Sequence, residues 1–308
     1  MTEKISGGAF KQMVAFGAAC ITAQKQAIND LNVFPVPDGD TGTNMSLTIQ
    51  TAVNELRKAE PATVDEAAKL TASGLLRGAR GNSGVILSLL FRGMSKVLKG
   101  HDTADGALLA EAMQEGVSTA YGAVMKPAEG TVLTVSRLAA QRALEAAGEK
   151  NDAEFVLDEA IKTGYTTLAE TIEMNPVLKK AGVVDAGGFG LAIIFDAFTA
   201  ALLGRSGTMV DEMSFARGSH PKVEIEQVND WEGSQYRYCN EFLVDSDTLD
   251  KDAALEFLST MGDCELCVGE VPKFKVHVHS DHPDQVLKYF LDHGQISEVF
   301  IHNMQIQS

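Results

Sequence analysis

The chain has 308 residues with 26 basic and 42 acidic side chains, a formal net charge of −16, and 45% of its residues are hydrophobic. This composition excludes a disordered chain, and the length favours about two domains. The negative charge argues against binding to nucleic acid or to anionic lipid, because no net positive surface is present to displace phosphate counterions. An anionic substrate would therefore require metal ions.

No targeting or membrane signal is visible in the sequence. The N-terminus has no apolar segment behind a basic cluster, and the most apolar stretch, residues 186–204, contains Asp196. A membrane span needs about 20 uninterrupted apolar residues. Four cysteines are too few for a disulfide scaffold in a chain of this length. We therefore predict a cytoplasmic protein without a transmembrane segment.

The composition changes near residue 205. Residues 206–308 carry 7 basic and 19 acidic side chains, against 19 and 23 before this point, and they hold six of the seven histidines. Periodicity is lost over residues 205–222. We predict a first domain at residues 1–205 and a second at 222–308.

The first domain shows apolar residues at spacings of three and four, which is typical of amphipathic helices. Thr63 and Glu66 form a predicted capping box at one helix start. The pattern predicts an all-α domain with eight helices, at residues 7–30, 44–58, 64–76, 83–98, 104–123, 131–147, 153–173 and 187–203.

The second domain has a different pattern. Residues 236–244 and 273–280 alternate and are rich in β-branched or aromatic residues, which predicts strands. Residues 250–261 and 283–293 have helical spacing. The second domain is therefore predicted to be a smaller α+β domain.

The segment from residue 32 to residue 45, NVFPVPDGDTGTNM, lies between two predicted helices. Its prolines exclude a helix, and its glycines allow tight turns with exposed backbone amides. Asp38 and Asp40 are separated by one glycine, so both carboxylates can lie on one side of a loop, where they repel unless cations lie between them. Such oxygens suit Mg²⁺. An ordinary surface turn is the alternative, but the flanking prolines and the following Thr41-Gly42-Thr43-Asn44 favour a functional site.

A second glycine-rich segment, GLLRGARGNSGVI at residues 74–86, precedes an apolar helix. Asn82 and Ser83 lie where capping side chains and free amides can receive phosphate oxygens. The segment is not a Walker A loop, because no Gly-Lys-Ser/Thr follows. Close helix packing through glycines is the alternative. Arg77 and Arg80 can hold phosphate or lie in solvent, and we favour solvent.

Two further segments, KPAEGT at residues 126–131 and AGVVDAGGFG at residues 181–190, also lie between predicted helices. Thr131 stands at a helix start, and Asp185 precedes paired glycines. Ordinary interhelix loops remain the alternative for both segments.

Four motifs in this order, PDGDTGTNM, GARGNSG, KPAEGT and GVVDAGG, resemble the nucleotide-binding L domain of dihydroxyacetone kinases, and most closely the A subunit of bacterial fatty acid kinase. YCNE and VHVH resemble the middle domain of that subunit. The resemblance implies an antiparallel eight-helix barrel that binds ATP with two Mg²⁺ at one end. It also implies transfer of the γ-phosphoryl group to a fatty acid presented by a separate fatty-acid-binding protein.

The resemblance also assigns residues. Asp38 and Asp40 match the metal-binding aspartates and are the expected catalytic pair, and phosphate or other cofactor contacts are expected at Thr41, Thr43, Asn44, Gly81, Asn82, Ser83, Thr131 and Asp185. Dihydroxyacetone kinases have a third aspartate five positions before the first of the pair. Val33 occupies that position here, so Asn32 or Asp30 is expected to supply the missing oxygen.

The predicted function is that of an ATP-dependent kinase subunit that makes acyl phosphate for phospholipid synthesis. A carboxylate acceptor is already ionised at pH 7, so no general base is needed, and the first domain contains only His101. Two alternatives stay open: a dihydroxyacetone kinase L-type subunit, and a nucleotide-binding scaffold without catalysis. A homodimer is among the oligomeric states left open. Subunits of the fatty acid kinase type usually continue into another domain, so we expect the natural protein to continue beyond Ser308.

In the second domain, alternation along KVHVH places His277 and His279 on one strand face. The resemblance places Cys239 opposite them, so we predict a Zn²⁺ site completed by Glu241 or water. The site is remote in sequence from the phosphate motifs, so we expect a structural or regulatory role. The alternatives are an exposed polar strand face, or a site that uses the Cys-x-x-Cys segment at residues 264–267; if that segment is a strand, its cysteines point to opposite faces.

Overall fold

The structure, a computed structural model, describes residues 3–204 and 235–304. The predicted domain boundary and the linker at residues 205–222 lie outside the described residues. The described parts confirm the predicted fold class, because a helical region is followed by a smaller domain built around a β-sheet.

Residues 3–204 form nine helices and two short paired strands. The strands are β1 (Ile5–Ser6) and β2 (Thr103–Ala104). The helices are α1 (Gly7–Asn29), α2 (Thr41–Arg57), α3 (Val64–Gly78), α4 (Gly81–Leu98), α5 (Gly106–Ala123), α6 (Val132–Glu149), α7 (Ala153–Met174), α8 (Pro176–Ala181) and α9 (Ala186–Leu202).

Eight of these helices close into a barrel. Each long helix packs against the next along the chain, α7 packs against α9, and α9 packs against α1, which closes the ring. The short helix α8 packs against α7. Phe10, Phe91 and Phe198 meet inside, with ring centroids 6.0 and 6.5 Å from that of Phe198. No helix in the described ranges combines the length and apolar character needed to cross a membrane.

The helix starts follow local chemistry. Glu66 N–H donates to Thr63 Oγ1 at 3.2 Å, and the Glu66 carboxylate accepts from the Thr63 and Ala62 amides, which confirms the predicted capping box. Helix α2 begins at residue 41 instead of 44, and α4 at 81 instead of 83, because glycines in their first turns fit against neighbouring helices. The sequence does not predict helix α8, since six residues are too few for a periodic pattern.

The second domain contains a four-stranded antiparallel sheet in the order β4-β5-β3-β6. Its elements are β3 (Tyr238–Asp245), α10 (Lys251–Met261), β4 (Gly262–Glu270), β5 (Lys273–Ser280), α11 (Pro283–His293) and β6 (Gln295–Asn303). The sequence predicts β3, β5 and both helices. It does not predict β4, whose alternation is interrupted by a bulge between Asp263 and Leu266, or β6, whose side chains are mostly exposed.

The two faces of the sheet contact different parts of the protein. Phe242, Val276 and Val278 pack against α10 and α11 in a core of their own. On the opposite face, Leu266 and Val268 of β4 belong to the apolar core of the barrel. The sheet is therefore packed between its own two helices and the barrel, and the polar residues of its barrel face are enclosed.

Candidate functional site

The N-termini of α2, α4, α6 and α9 gather at one end of the barrel. Gly81 at the start of α4 lies against Asn44 in the first turn of α2, and Gly190 of α9 lies against Met45. The carboxylate of Asp185 accepts from backbone amides at the starts of both α9 and α6. First-turn amides have no acceptor within their own helix. This end of the barrel is therefore rich in amide donors and suited to bind anions.

Asp38 and Asp40 lie in the loop before α2, at this end of the barrel. Their side chains are half-buried and hydrogen-bonded to each other. Burial, followed by the neighbouring Asp40 charge, raises the pKa of Asp38 from 3.8 to about 8. Asp40 occupies the N-cap position of α2 without making a side-chain capping bond. The pair therefore fits a cation site, because its carboxylates are close together and not used to cap the helix.

Asn32 holds the aspartate loop in shape. Its Oδ1 accepts from Thr41 N at 2.9 Å, from Thr41 Oγ1 at 2.5 Å and from Asp40 N at 3.3 Å, while its Nδ2 donates to Val36 O at 2.6 Å. An amide oxygen has two lone pairs, so these donors already use its accepting capacity. In this arrangement Asn32 organises the loop, and Asp30 accepts a hydrogen bond from Gln26 at 2.8 Å.

Residues of the first turn of α2 are fixed in the same way. Thr43 N–H donates to Asn29 Oδ1, and Asn29 Nδ2 donates to Thr43 Oγ1, both at 3.1 Å. The hydroxyl groups of Thr41 and Thr43 are thus engaged with the C-terminal part of α1 and the loop after it. Gly39, with φ of 67°, makes the tight turn between the two aspartates.

The start of α4 contacts the second domain. Gly81 N–H donates to Glu241 Oε1 at 2.5 Å, and the Asn82 side chain hydrogen-bonds with Cys264. Ser83 lies in the same first turn. The sequence does not predict these contacts, because no local pattern links residue 81 to residue 241.

Thr131 and Asp185 both act as helix caps. Thr131 Oγ1 accepts from Leu133 N at 3.4 Å at the start of α6, and Asp185 Oδ2 accepts from Gly188 N at 2.7 Å at the start of α9. Burial raises the pKa of Asp185 to about 6, although the amides of Gly188 and Val132 oppose this. Both residues lie at the same end of the barrel as the aspartate pair.

A second group of polar residues lies on the barrel face of the sheet. Cys239, His277 and His279 are buried, and their ligand atoms all lie within 4.8 Å of one another. His277 Nδ1 is 3.0 Å from Glu241 Oε1, and His277 Nε2 has no hydrogen-bond partner among the described residues. A carboxylate that orients a histidine whose other nitrogen is left for an ion is a common arrangement at zinc sites.

The donor set of this group fits zinc. Burial raises the pKa of the Cys239 thiol well above its usual value, so the thiolate would require a nearby cation. Glu241, expected as a possible fourth ligand, is engaged by His277 and Gly81. Asp263 and Cys264 offer further donors within 4.8 Å of His279. Cys267 instead packs in the core on the opposite sheet face, so the Cys-x-x-Cys segment does not form a single site.

The zinc candidate and the phosphate motifs are close in space although they are distant in sequence. The charges of Asp38 and Asp40 act on the Cys239 thiol, and Asp40 also acts on His302 of β6. The alternative of an exposed polar strand face is wrong, because His277 and His279 are 1% and 3% exposed. The two candidate sites therefore face each other across the boundary between the barrel and the sheet.

Comparison with known proteins identifies both parts of the chain. Residues 35–200 match the DAK2 domain, and residues 235–308 match a FakA-like middle domain, the middle domain of the fatty acid kinase family. The chain belongs to the DAK2 domain family.

Two curated relatives of this DAK2 family member come from staphylococci. Uncharacterized proteins from Staphylococcus saprophyticus and Staphylococcus aureus are each 38% identical over 315 residues, which include all of this chain and 56% and 57% of the respective relatives. The chain therefore spans somewhat more than half the length of the relatives that it matches.

In this DAK2 family member, Arg80 and Lys275 add positive charge where the two regions meet. Arg80 Nη1 is 3.9 Å from Glu241 Oε2, and its guanidinium lies 5.4 Å from the Phe300 ring centroid. The expectation that Arg80 lies in solvent is therefore wrong, whereas Arg77 forms an exposed ion pair with Glu55. Burial lowers the pKa of Lys275. Burial alone would raise the pKa of Glu241, but the hydrogen bond with His277 and nearby positive charges hold it at about 2.

Proposed function

We propose that this protein is an ATP-dependent kinase subunit that transfers the γ-phosphoryl group of ATP to a fatty acid held by a separate fatty-acid-binding protein, giving acyl phosphate. The observation that carries the proposal is the paired carboxylates of Asp38 and Asp40 beside the N-termini of α2 and α4. Membership of the DAK2 family, and a second region that matches the FakA-like middle domain, support it.

In the proposed reaction, Asp38 and Asp40 hold two Mg²⁺ ions, which would neutralise charge on the β- and γ-phosphates when bound. The first-turn amides of α2 and α4 orient phosphate oxygens, with the residues from Thr41 to Asn44 on one side and Asn82 and Ser83 on the other. Thr131 and Asp185 keep the starts of α6 and α9 rigid at the same end of the barrel. This places their proposed contribution in positioning.

The acceptor needs little help from the protein in proton transfer. A fatty acid carboxylate is ionised at neutral pH, and the barrel motifs contain no histidine. An apolar cavity inside the barrel, lined by residues that include Leu90, Met113 and Phe195, has a volume of about 10 Å³, room for about one water molecule. This size supports a mechanism in which a partner protein holds the acyl chain.

We also propose that Cys239, His277 and His279 bind one Zn²⁺. Thiolate and imidazole ligands favour zinc over the Mg²⁺ that suits the aspartate pair. Because the zinc candidate adjoins the start of α4, its proposed role is to stabilise the contact of the sheet with the phosphate motifs.

One assay separates the proposed function from its alternatives. The chain is incubated with Mg²⁺ and ATP and with a fatty-acid-loaded partner protein, free fatty acid, or dihydroxyacetone, and ADP release and hydroxylamine-trapped acyl phosphate are measured. Acyl phosphate that depends on the loaded partner supports the proposal. Phosphorylation of dihydroxyacetone supports the L-type subunit, and nucleotide binding without transfer in every arm supports the scaffold. Comparable rates with free fatty acid would reject the need for a partner.

A further inference from the structure

A buried lysine from the second domain has no visible partner. Lys275 of β5 is fully buried, and its Nζ has no hydrogen-bond partner among the residues that the structure describes. Burial of an ammonium group without an acceptor is costly, so each such case calls for an explanation. Arg80 Nη1 also lacks a hydrogen-bond partner among these residues, and its ion pair with Glu241 is long at 3.9 Å.

The two cations approach the start of α4 from different sides. Lys275 lies two residues before His277 on the same strand face, and Val268, its register partner on β4, packs into the barrel core. His277 contacts Glu241, which accepts the Gly81 amide at the start of α4. Lys275 and Arg80 are close enough to act on each other electrostatically. Lys275 therefore lies on the face that covers the N-terminus of α4.

The charges around this position do not balance. Within the described ranges, Glu241 is the one buried carboxylate that acts on both Arg80 and Lys275, and it is already shared with His277 and the Gly81 amide. The other carboxylate that acts on Lys275 belongs to Glu298 on the exposed strand β6. The N-terminus of α4 adds partial positive charge. An anionic ligand oxygen would complete this arrangement.

We propose that Lys275 and Arg80, with the first-turn amides of α4, form an oxyanion site that the second domain completes. Its ligand class is a terminal phosphoryl oxygen of a nucleotide or the carboxylate that accepts the phosphoryl group, since both present a charged oxygen. This inference rests on the proposed kinase function, and it makes Lys275 a substrate-contacting residue contributed from outside the barrel.

The test compares Lys275→Met with Lys273→Met in the whole chain. Lys273 is on the same strand, but it is exposed and paired with Asp245 at 2.7 Å, so its loss should not affect the site. Calorimetry measures the dissociation constants of the non-hydrolysable analogue AMP-PNP and of ADP, each with Mg²⁺, and of octanoate. A charge-assisted contact predicts binding weakened about tenfold to a hundredfold in Lys275→Met. Arg80→Met should weaken the same ligand.

Each outcome has a defined meaning. Weaker AMP-PNP binding with unchanged ADP binding identifies the γ-phosphoryl oxygen, and weaker octanoate binding alone identifies the acceptor carboxylate. Unchanged binding of all three ligands in Lys275→Met, or equal losses in Lys273→Met, would overturn the proposal. If Lys275→Met does not fold, Lys275→Arg, which keeps the charge, and Arg80→Met provide the comparison. A wild-type chain that binds no Mg²⁺-nucleotide would reject the proposed function, and the octanoate arm would still test the oxyanion site.

Discussion

At the scale of single residues, Asp38 and Asp40 are held close together by a loop that other side chains organise. Asn32 ties the loop to the start of α2, so relaxation of the loop cannot easily separate the carboxylates. Repulsion between them is relieved by a proton or by a cation. Protons and Mg²⁺ should therefore compete for this pair.

This competition gives a pH dependence. The folded-state pKa of Asp38, about 8, lies above its ordinary value of 3.8, so the bound proton stabilises the fold at low pH, and this contribution is lost as pH rises through 8. Without Mg²⁺, the thermal midpoint should fall between about pH 5 and pH 8. Mg²⁺ affinity should rise over the same range, because binding displaces the proton.

Calorimetry across this pH range, and scanning calorimetry with and without Mg²⁺, measure the two effects. Asp38→Asn should remove both effects and abolish phosphoryl transfer, while the matched change Asp30→Asn, at the exposed end of α1, should retain them. Mg²⁺ affinity that is independent of pH, or normal turnover by Asp38→Asn at saturating Mg²⁺, would contradict the assignment of the pair.

The proposed zinc ligands give a second residue-scale prediction. The purified chain should contain about one zinc, and Cys239→Ser or His277→Ala should lose it, because each change removes one of the three proposed ligands. His293→Ala, an exposed histidine on α11, is the control and should keep the metal. Elemental analysis measures the content. A folded wild-type chain without zinc would exclude the site.

At the scale of elements, the packing of α2 against α4 depends on residues without side chains. Gly81 has a φ of 57°, and a Cβ at this position would overlap Asn44 of α2. Gly81→Ala should therefore lower the free energy of unfolding by about 1–3 kcal/mol and displace the start of α4. Gly148→Ala, at an open position of α6, should be neutral or slightly stabilising. Urea unfolding of both variants measures the difference, and equal effects would argue against a tight fit at Gly81.

Helices are predictable from this sequence, whereas several strands are not. Apolar spacing and the cap at Thr63 locate the barrel helices within a few residues, because those signals are local. The bulge in β4 and the exposed side chains of β6 remove the alternation by which strands are recognised. For the candidate site, the aspartate pair and the glycine motifs are visible in sequence. The contacts of Glu241 and Lys275 are not, because they form between residues that are distant along the chain.

At the scale of the whole molecule, the barrel and the sheet are joined by an apolar contact and a buried polar one. Leu266 and Val268 continue the barrel core, and beside them Glu241 bonds the first amide of α4. The polar contact connects the proposed zinc ligands to the phosphate motif through a single carboxylate. Changes at one candidate site should therefore affect the other.

Glu241→Gln tests this connection. The change removes a negative charge that is 1% exposed and leaves Arg80 and Lys275 without their shared buried counter-charge, so the free energy of unfolding should fall by about 3 kcal/mol or more. Glu270→Gln is the matched control, because Glu270 pairs with Arg92 in the same contact region but is 72% exposed, and it should cost much less.

Urea unfolding followed by circular dichroism gives both values, and the double variant refines the cause. In a Lys275→Met background, Glu241→Gln should cost less, because one of the uncompensated cations is then absent. If Glu241→Gln costs no more than Glu270→Gln, the buried carboxylate does not hold the two regions together. If its cost is unchanged in the Lys275→Met background, Lys275 and Glu241 are not coupled, and the sheet would depend mainly on the apolar contact of Leu266 and Val268 with the barrel.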